Sequence, residues 1–372
     1  MSHIVIIGGG FAGVWSAAAA ARVRGDEKDL RITLVAPDED LVLRPLLHRL
    51  DPDGSRVPLK RILAPVDVEH LRAAVTRIDT AGRRIVADGR SIGYDRLVLA
   101  AGSRLTRPGL PGAEQLFDVD TAEGTARLEA RLRGRDGFTA VVVGAGFTGL
   151  EVATELASRG NVVLVERSDV IGPDLGPGPR PVIEAALAEL GVRTRLGTSL
   201  AAVDGEGAVL ADGTRIAADA VVWTAGVLAS PLTSQIPGDR DRLGRLVVDR
   251  WLRVSGDVFA AGDIAAAHAD PDHHVLQSCQ HAIPMGKVAG HNAAADLLGL
   301  PLMDFAPDPY VTCLDLGAAG AVTTAGWERE VRLTGAEAKE RKDMILNAIR
   351  PPVDDAEEIL RKAGERGAGT RR

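Results

Sequence analysis

One folding pattern occurs twice in this chain, and that repetition limits what the chain can build. A short apolar strand, Ile4–Ile7, runs into Gly8-x-Gly10-x-x-Gly13, with Phe11 and Ala12 between the last two glycines. An Ala-rich helix over Val14–Val23 and a second strand over Leu30–Val35 follow. The scheme returns as Ala140–Val143, then Gly144-x-Gly146-x-x-Gly149 with Phe147 and Thr148 inside it, a helix over Leu150–Ser158, and Val162–Val165. Between a strand and a helix, such glycines allow a tight turn, close approach of a pyrophosphate and close helix–strand packing. The phosphates then rest on the helix N-terminus. Two such units predict two dinucleotide-binding folds in one chain.

The bulk properties agree with that plan. A chain of 372 residues is long for one domain, and 45% hydrophobic residues suffice for several cores. Aromatics are scarce at 3%, which suits closely packed helix–strand layers. A net charge of −7 gives no basic face for nucleic acid. Two cysteines, Cys279 and Cys313, exclude a disulfide framework, and without a Cys-x-x-Cys pair no dithiol centre is expected. A cytoplasmic protein with no leader and no membrane-spanning segment is the expectation. Cys279 reads as a packing residue, and the cluster His268, Asp270, Asp272, His273 and His274 reads as a solvated loop without metal-ligand spacing.

Further elements are expected at Ile85–Ala87, Leu97–Ala100, Val192–Arg195, Val209–Leu210 and Ala220–Trp223 as strands, and at Ile283–Leu298 as a long helix. Pro108-Gly109-Leu110-Pro111-Gly112 reads as an interdomain crossing. The region after Pro301 reads as a strand-rich unit, and Pro351-Pro352 separates it from a charged tail, Asp354–Arg372.

The two nucleotide units are unequal. The second strand of the later unit ends in Glu166, a carboxylate placed to accept hydrogen bonds from a ribose diol and to repel a 2′-phosphate. NADH is therefore favoured over NADPH, although Arg167 beside it is a basic group that could meet a phosphate. The earlier unit has Ala36 at the corresponding place. Asp38 and Glu39 just beyond are candidates to replace the missing acid, with a solvated turn as the alternative.

Four motifs stand in order: Gly8–Gly13, Tyr94–Ser103 (YDRLVLAAGS), Gly144–Gly149 and Val258–Asp263 (VFAAGD). This order resembles the two-dinucleotide-fold flavoprotein superfamily, in particular type II NADH dehydrogenases and apoptosis-inducing-factor-like reductases, over roughly residues 1–330. The resemblance implies an α/β architecture of two Rossmann-like domains plus a smaller C-terminal α+β unit. A discontinuous FAD domain (1–113 and 232–300) would hold an inserted NAD(P)H domain (114–231), and the C-terminal interface unit with its polar tail would span 301–372. It implies FAD on Gly8, Gly10, Phe11, Ala12 and Gly13, with Gly262 and Asp263 at the ribitol and pyrophosphate. Arg44, Pro45, Ala101 and Gly102 join them. NADH would lie on Gly144, Gly146, Phe147, Thr148 and Gly149, with Glu166, Arg167, Ala225 and Gly226 nearby.

The resemblance also places Glu151 near the flavin, paired with a lysine of the first domain. Arg44–Arg49 (RPLLHR) resembles that lysine's segment and puts Arg49 at its position, so an Arg49–Glu151 pair is expected. The resemblance also implies Gln280, His281 and Ala282 as FAD contacts; they occupy the acceptor-side helix start, where type II dehydrogenases show Ala-Gln-x-Ala-x-Gln-Gln-Gly. Here Pro284 and Met285 replace the two adjacent glutamines. The C-terminal helices lack the apolar stripe of a membrane-lying helix. The implied activity is hydride transfer from NADH to FAD, then to a quinone or other small organic acceptor, in a possible homodimer. A reductase for a ferredoxin-like carrier and an NADH-responsive redox sensor are the alternatives.

Overall fold

The computed structural model describes residues 2–365 and 367. Its first sheet has six strands in the order Arg253–Ser255, Val258–Ala260, Arg96–Leu99, Ser2–Ile7, Leu30–Ala36 and Glu69–Arg72. All neighbours are parallel except the first pair. Ile4, Val5 and Ile6 are fully buried, because a parallel strand covered on both faces must be apolar on both. Val258–Ala260 reaches this sheet from late in the chain, pairing with Leu97–Leu99. That pairing brings Asp263 back to the N-terminal glycine loop.

The second sheet is wholly parallel, in the order Arg193–Arg195, Asn161–Val165, Thr139–Val143 and Ala220–Trp223. Each central strand leads into a glycine loop and helix, Phe11–Arg24 in the first unit and Phe147–Ala157 in the second. Both helices start about one turn earlier than the apolar pattern suggests, because the third glycine of each loop lies inside the first turn.

Close packing explains several remaining glycines. Helix Cys279–Leu298 lies against helix Phe11–Arg24 at Gly286 and Gly290. A Cβ there would fall 2.3 Å from the Ala12 carbonyl oxygen and 2.0 Å from that of Ser16. This helix also begins four residues before the expected Ile283, with Pro284 inside it.

The C-terminal unit is an antiparallel sheet of Val311–Asp315, Ala321–Ala325 and Glu330–Thr334, covered by helix Gly335–Ala348. The tail differs from its expected polar character. Residues Ala356–Gly364 form a helix whose Ile359 and Ala363 are buried in the same core as helix Phe11–Arg24. Composition hides this, since a narrow apolar stripe suffices to dock a short helix that is otherwise charged. Of the expected polar tail, residue 366 and residues 368–372 lie outside the described residues. Among the described residues, no helix is long and apolar enough to cross a membrane.

Candidate active site

The carboxyl ends of both sheets open into one continuous cleft of about 1610 Å³. Such a position, outside the strand ends of open parallel sheets, is where this architecture places ligands. Gly8, Gly10, Phe11 and Ala12 line one end, and Ala101, Gly102, Gly262 and Asp263 lie along it. At the other end stand Gly144, Gly146, Phe147 and Thr148, facing Ala225 and Gly226. Gly13 and Gly149 do not line the cleft; each lets its helix close on its own loop. A Cβ on Gly13 would lie 1.8 Å from the Gly8 carbonyl oxygen, and one on Gly149 1.8 Å from that of Gly144.

The loops fit dinucleotides on direct structural grounds. Neither glycine helix has a side-chain cap or an acidic residue in its first turn, so the first amides remain available to phosphate. Gly8 has φ +118° and Gly144 φ +107°, a region that favours glycine. A Cβ on Gly10 would meet nothing within 4 Å, so that face is open.

At the first loop, Ala36 is buried, and Asp38 reaches the cleft whereas Glu39 pairs with Arg72 at 2.5 Å. Asp263 accepts the Ser103 hydroxyl at 2.6 Å, and Arg44, next to Pro45 on the cleft wall, lies 3.5 Å away. Arg44 also pairs with Asp120, a cleft residue that the sequence reading missed. Asp263 itself lies in a single 3₁₀ turn, Gly262–Ile264. At the second loop Glu166 is buried, and its carboxylate accepts the amides of Ala145 at 2.7 Å and Ser168 at 2.9 Å. It braces the glycine loop, and Arg167 lines the cleft beside it.

Two expected positions are corrected. Arg49 does not meet Glu151 or the cleft; its guanidinium lies 2.5 Å from Asp343 and 3.5 Å from Asp315. The cause is local: Arg44–Arg49 is a 3₁₀ helix, in which neighbouring side chains diverge by about 120°. His48 therefore points inward and Arg49 outward. His281 likewise does not line the cleft, although Gln280 and Ala282 do. It is buried and stacked on Tyr310, with ring centroids 5.5 Å apart, and burial lowers its pKa to about 4.

The cation that does meet Glu151 comes from the C-terminal helix. Lys342 Nζ lies 2.7 Å from Glu151 Oε1 and donates to the Cys313 carbonyl at 2.9 Å; both side chains are at most 6% exposed. The Asp315 amide donates to the same Glu151 oxygen at 3.0 Å. Burial opposes the charge on Lys342, but the Glu151 carboxylate outweighs it and raises the lysine's pKa. Burial would also raise the pKa of Asp315, yet His48 and Lys339 outweigh it and hold that carboxyl well below its usual range. His48 sits between the two acids, Nδ1 3.5 Å from Glu151 Oε2 and Nε2 3.4 Å from Asp315 Oδ2. Nothing in the sequence sets Lys342 apart from its helix neighbours, Lys339 and Arg341 among them. Both cysteines line the cleft, and burial raises each thiol to about 11, so neither is a thiolate near neutrality.

Residues 2–286 match the family model described as pyridine nucleotide-disulphide oxidoreductase. The chain belongs to this family. Members of the family use FAD and a nicotinamide dinucleotide, and the chain is an NAD(P)H oxidoreductase. A relative in Mycobacterium tuberculosis, an NADH dehydrogenase-like protein, is 46% identical over 95% of this chain and 96% of its own length. A type II NADH:quinone oxidoreductase of the same species is 29% identical over 86% of this chain and 78% of its own. Among solved structures, the sulfide:quinone oxidoreductase of Aquifex aeolicus shares the fold. It has a TM-score of 0.77 at 19% identity and covers 97% of this chain and 92% of that one.

Proposed function

We propose that this protein takes hydride from NADH and delivers the electrons to a quinone or another small organic acceptor. The observation that carries this reading is the single cleft, which joins both glycine loops and continues to a third wall. That wall is formed by Tyr310, Val311, Ile345, Leu346 and Ile349 of the C-terminal unit, a mainly apolar surface suited to a flat organic ring. The quinone oxidoreductase among the relatives supports the same class of acceptor.

Bound FAD would supply the two-electron chemistry between the nicotinamide and the acceptor. The protein's part is to hold and orient. The first-turn amides of helices Phe11–Arg24 and Phe147–Ala157 take the two pyrophosphates, while Asp263, set by Ser103 and Arg44, receives the ribitol hydroxyls. Glu151 and Lys342 stand at the junction of the three walls, where protons are needed. Rapid mixing tests the reading: NADH should bleach the flavin quickly, and a short-chain naphthoquinone should restore its colour quickly. A long-lived reduced species that no quinone reoxidises would overturn it in favour of a redox sensor.

Glu166 is the proposed source of the preference for NADH. Glu166→Ser removes the charge that repels a 2′-phosphate and leaves Arg167 to receive it. The kcat/KM preference for NADH over NADPH should fall by about tenfold or more, ~1.4 kcal/mol. An unchanged ratio would assign the preference elsewhere.

A further inference from the structure

We propose that His48 is the proton reservoir behind Glu151: as an imidazolium held between Asp315 and Glu151, it passes one proton to Glu151 in each turnover. The inference rests on the oxidoreductase reading above and concerns a need that reading leaves open. NADH, one proton and a quinone give NAD⁺ and a hydroquinone. The hydride brings two electrons and one hydrogen, so a second proton must come from solvent. Glu151 and His48 are 5% and 3% exposed, so bulk water barely reaches either group, and a proton stored in the wall beforehand answers that need.

The geometry singles out His48. It is 3% exposed and lines the cleft together with Glu151. Its two ring nitrogens face carboxylates from two different elements, Glu151 on helix Phe147–Ala157 and Asp315 on strand Val311–Asp315. Both separations, 3.5 and 3.4 Å, are slightly long for a hydrogen bond, and Nδ1 has no hydrogen-bond partner among the described residues. The large majority of buried polar side-chain atoms are hydrogen-bonded. An imidazole with slack on both sides can shift by a few tenths of an ångström and bond to either acid, which is what a proton carrier requires.

The surrounding charges assign the roles. Asp315 is held as an anion by His48 and by Lys339, which pairs with its other oxygen, and Arg49 and Asp343 continue the network to the surface. It therefore stabilises and orients the imidazolium and does not carry the proton itself. On the other side, Lys342 shares Glu151 Oε1 with the Asp315 amide, leaving Oε2 towards His48. In the transfer, the Nδ1–H bond breaks, its electron pair stays on the ring, and an O–H bond forms at Glu151 Oε2. Glu151 then gives that proton to the acceptor oxygen, and water entering as products leave restores the imidazolium.

The test uses His48→Gln and Asp315→Asn holoenzymes with NADH and a short-chain naphthoquinone. Bleaching of the flavin by NADH takes up no stored proton and should stay within about twofold of the unmodified enzyme. In His48→Gln, the reoxidation step should slow by about a hundredfold and lose its decline towards high pH, and in His48→Ala free imidazole should restore it. In Asp315→Asn the ring loses its counter-charge, so the high-pH decline should move to lower pH. Without added cofactor, ¹⁵N-histidine spectra of the unmodified protein should show a proton on both ring nitrogens of His48, and Asp315→Asn should lose one of them. A His48→Gln enzyme with unaltered reoxidation and pH profile overturns the reservoir while leaving the oxidoreductase reading intact. If His48→Gln does not fold, an unmoved pH limb and an unchanged pair of ring protons in Asp315→Asn do the same. An unmodified enzyme that passes no electrons to any quinone overturns both.

Discussion

Gly149→Ala should leave a yellow protein that no longer accepts NADH. The added methyl group would sit 1.8 Å from the Gly144 carbonyl oxygen and 2.7 Å from Thr224 Oγ1, far inside any real contact. The first obstacle is backbone, so no rotamer change relieves it; loop and helix must separate, which misaligns the amides that bind the pyrophosphate. NADH binding should weaken by about a hundredfold or more, ~2.7 kcal/mol, as measured by titration or by the concentration dependence of flavin bleaching. Flavin content and its spectrum should be unchanged, because the equivalent clash in the other loop involves Gly13 and Gly8. Tight NADH binding by this variant would show that the second loop is not the nicotinamide site.

The other large effect lies at Lys342. Replacing it with Met leaves Glu151, itself 5% exposed, without its cation. Breaking a buried pair by removing one partner costs about 3–5 kcal/mol, since the remaining charge is neither solvated nor compensated. Urea unfolding should report a loss of that order. The double variant Lys342→Met/Glu151→Gln should recover much of it. Single and double variants of equal stability would show that the pair is not coupled.

Local pattern was enough for the parts of the site built from neighbours in sequence. The glycine loops, their strands and helices, Glu166 and the motif containing Asp263 could all be placed because a turn, a helix N-terminus and a strand end are decided within about ten residues. The Arg49 expectation shows where that reasoning stops. A motif locates a segment, but whether residue 48 or 49 faces inward depends on the helical twist of that segment, here a 3₁₀ turn. His281 misled for the same reason: it shares a helix start with Gln280 and Ala282 but faces the core.

By itself, then, the sequence determined that there are two dinucleotide folds and where each begins, because glycine loops between apolar strands and helices are local devices. Only the tertiary structure decided what stands between them. The partner of Glu151 is 191 residues away in the chain, on a charged helix with no distinguishing spacing. Asp315, 267 residues from His48, is likewise unannounced. A buried charge selects its counter-ion by proximity after the chain has packed, and proximity between residues so far apart leaves no periodic trace in the sequence that carries them.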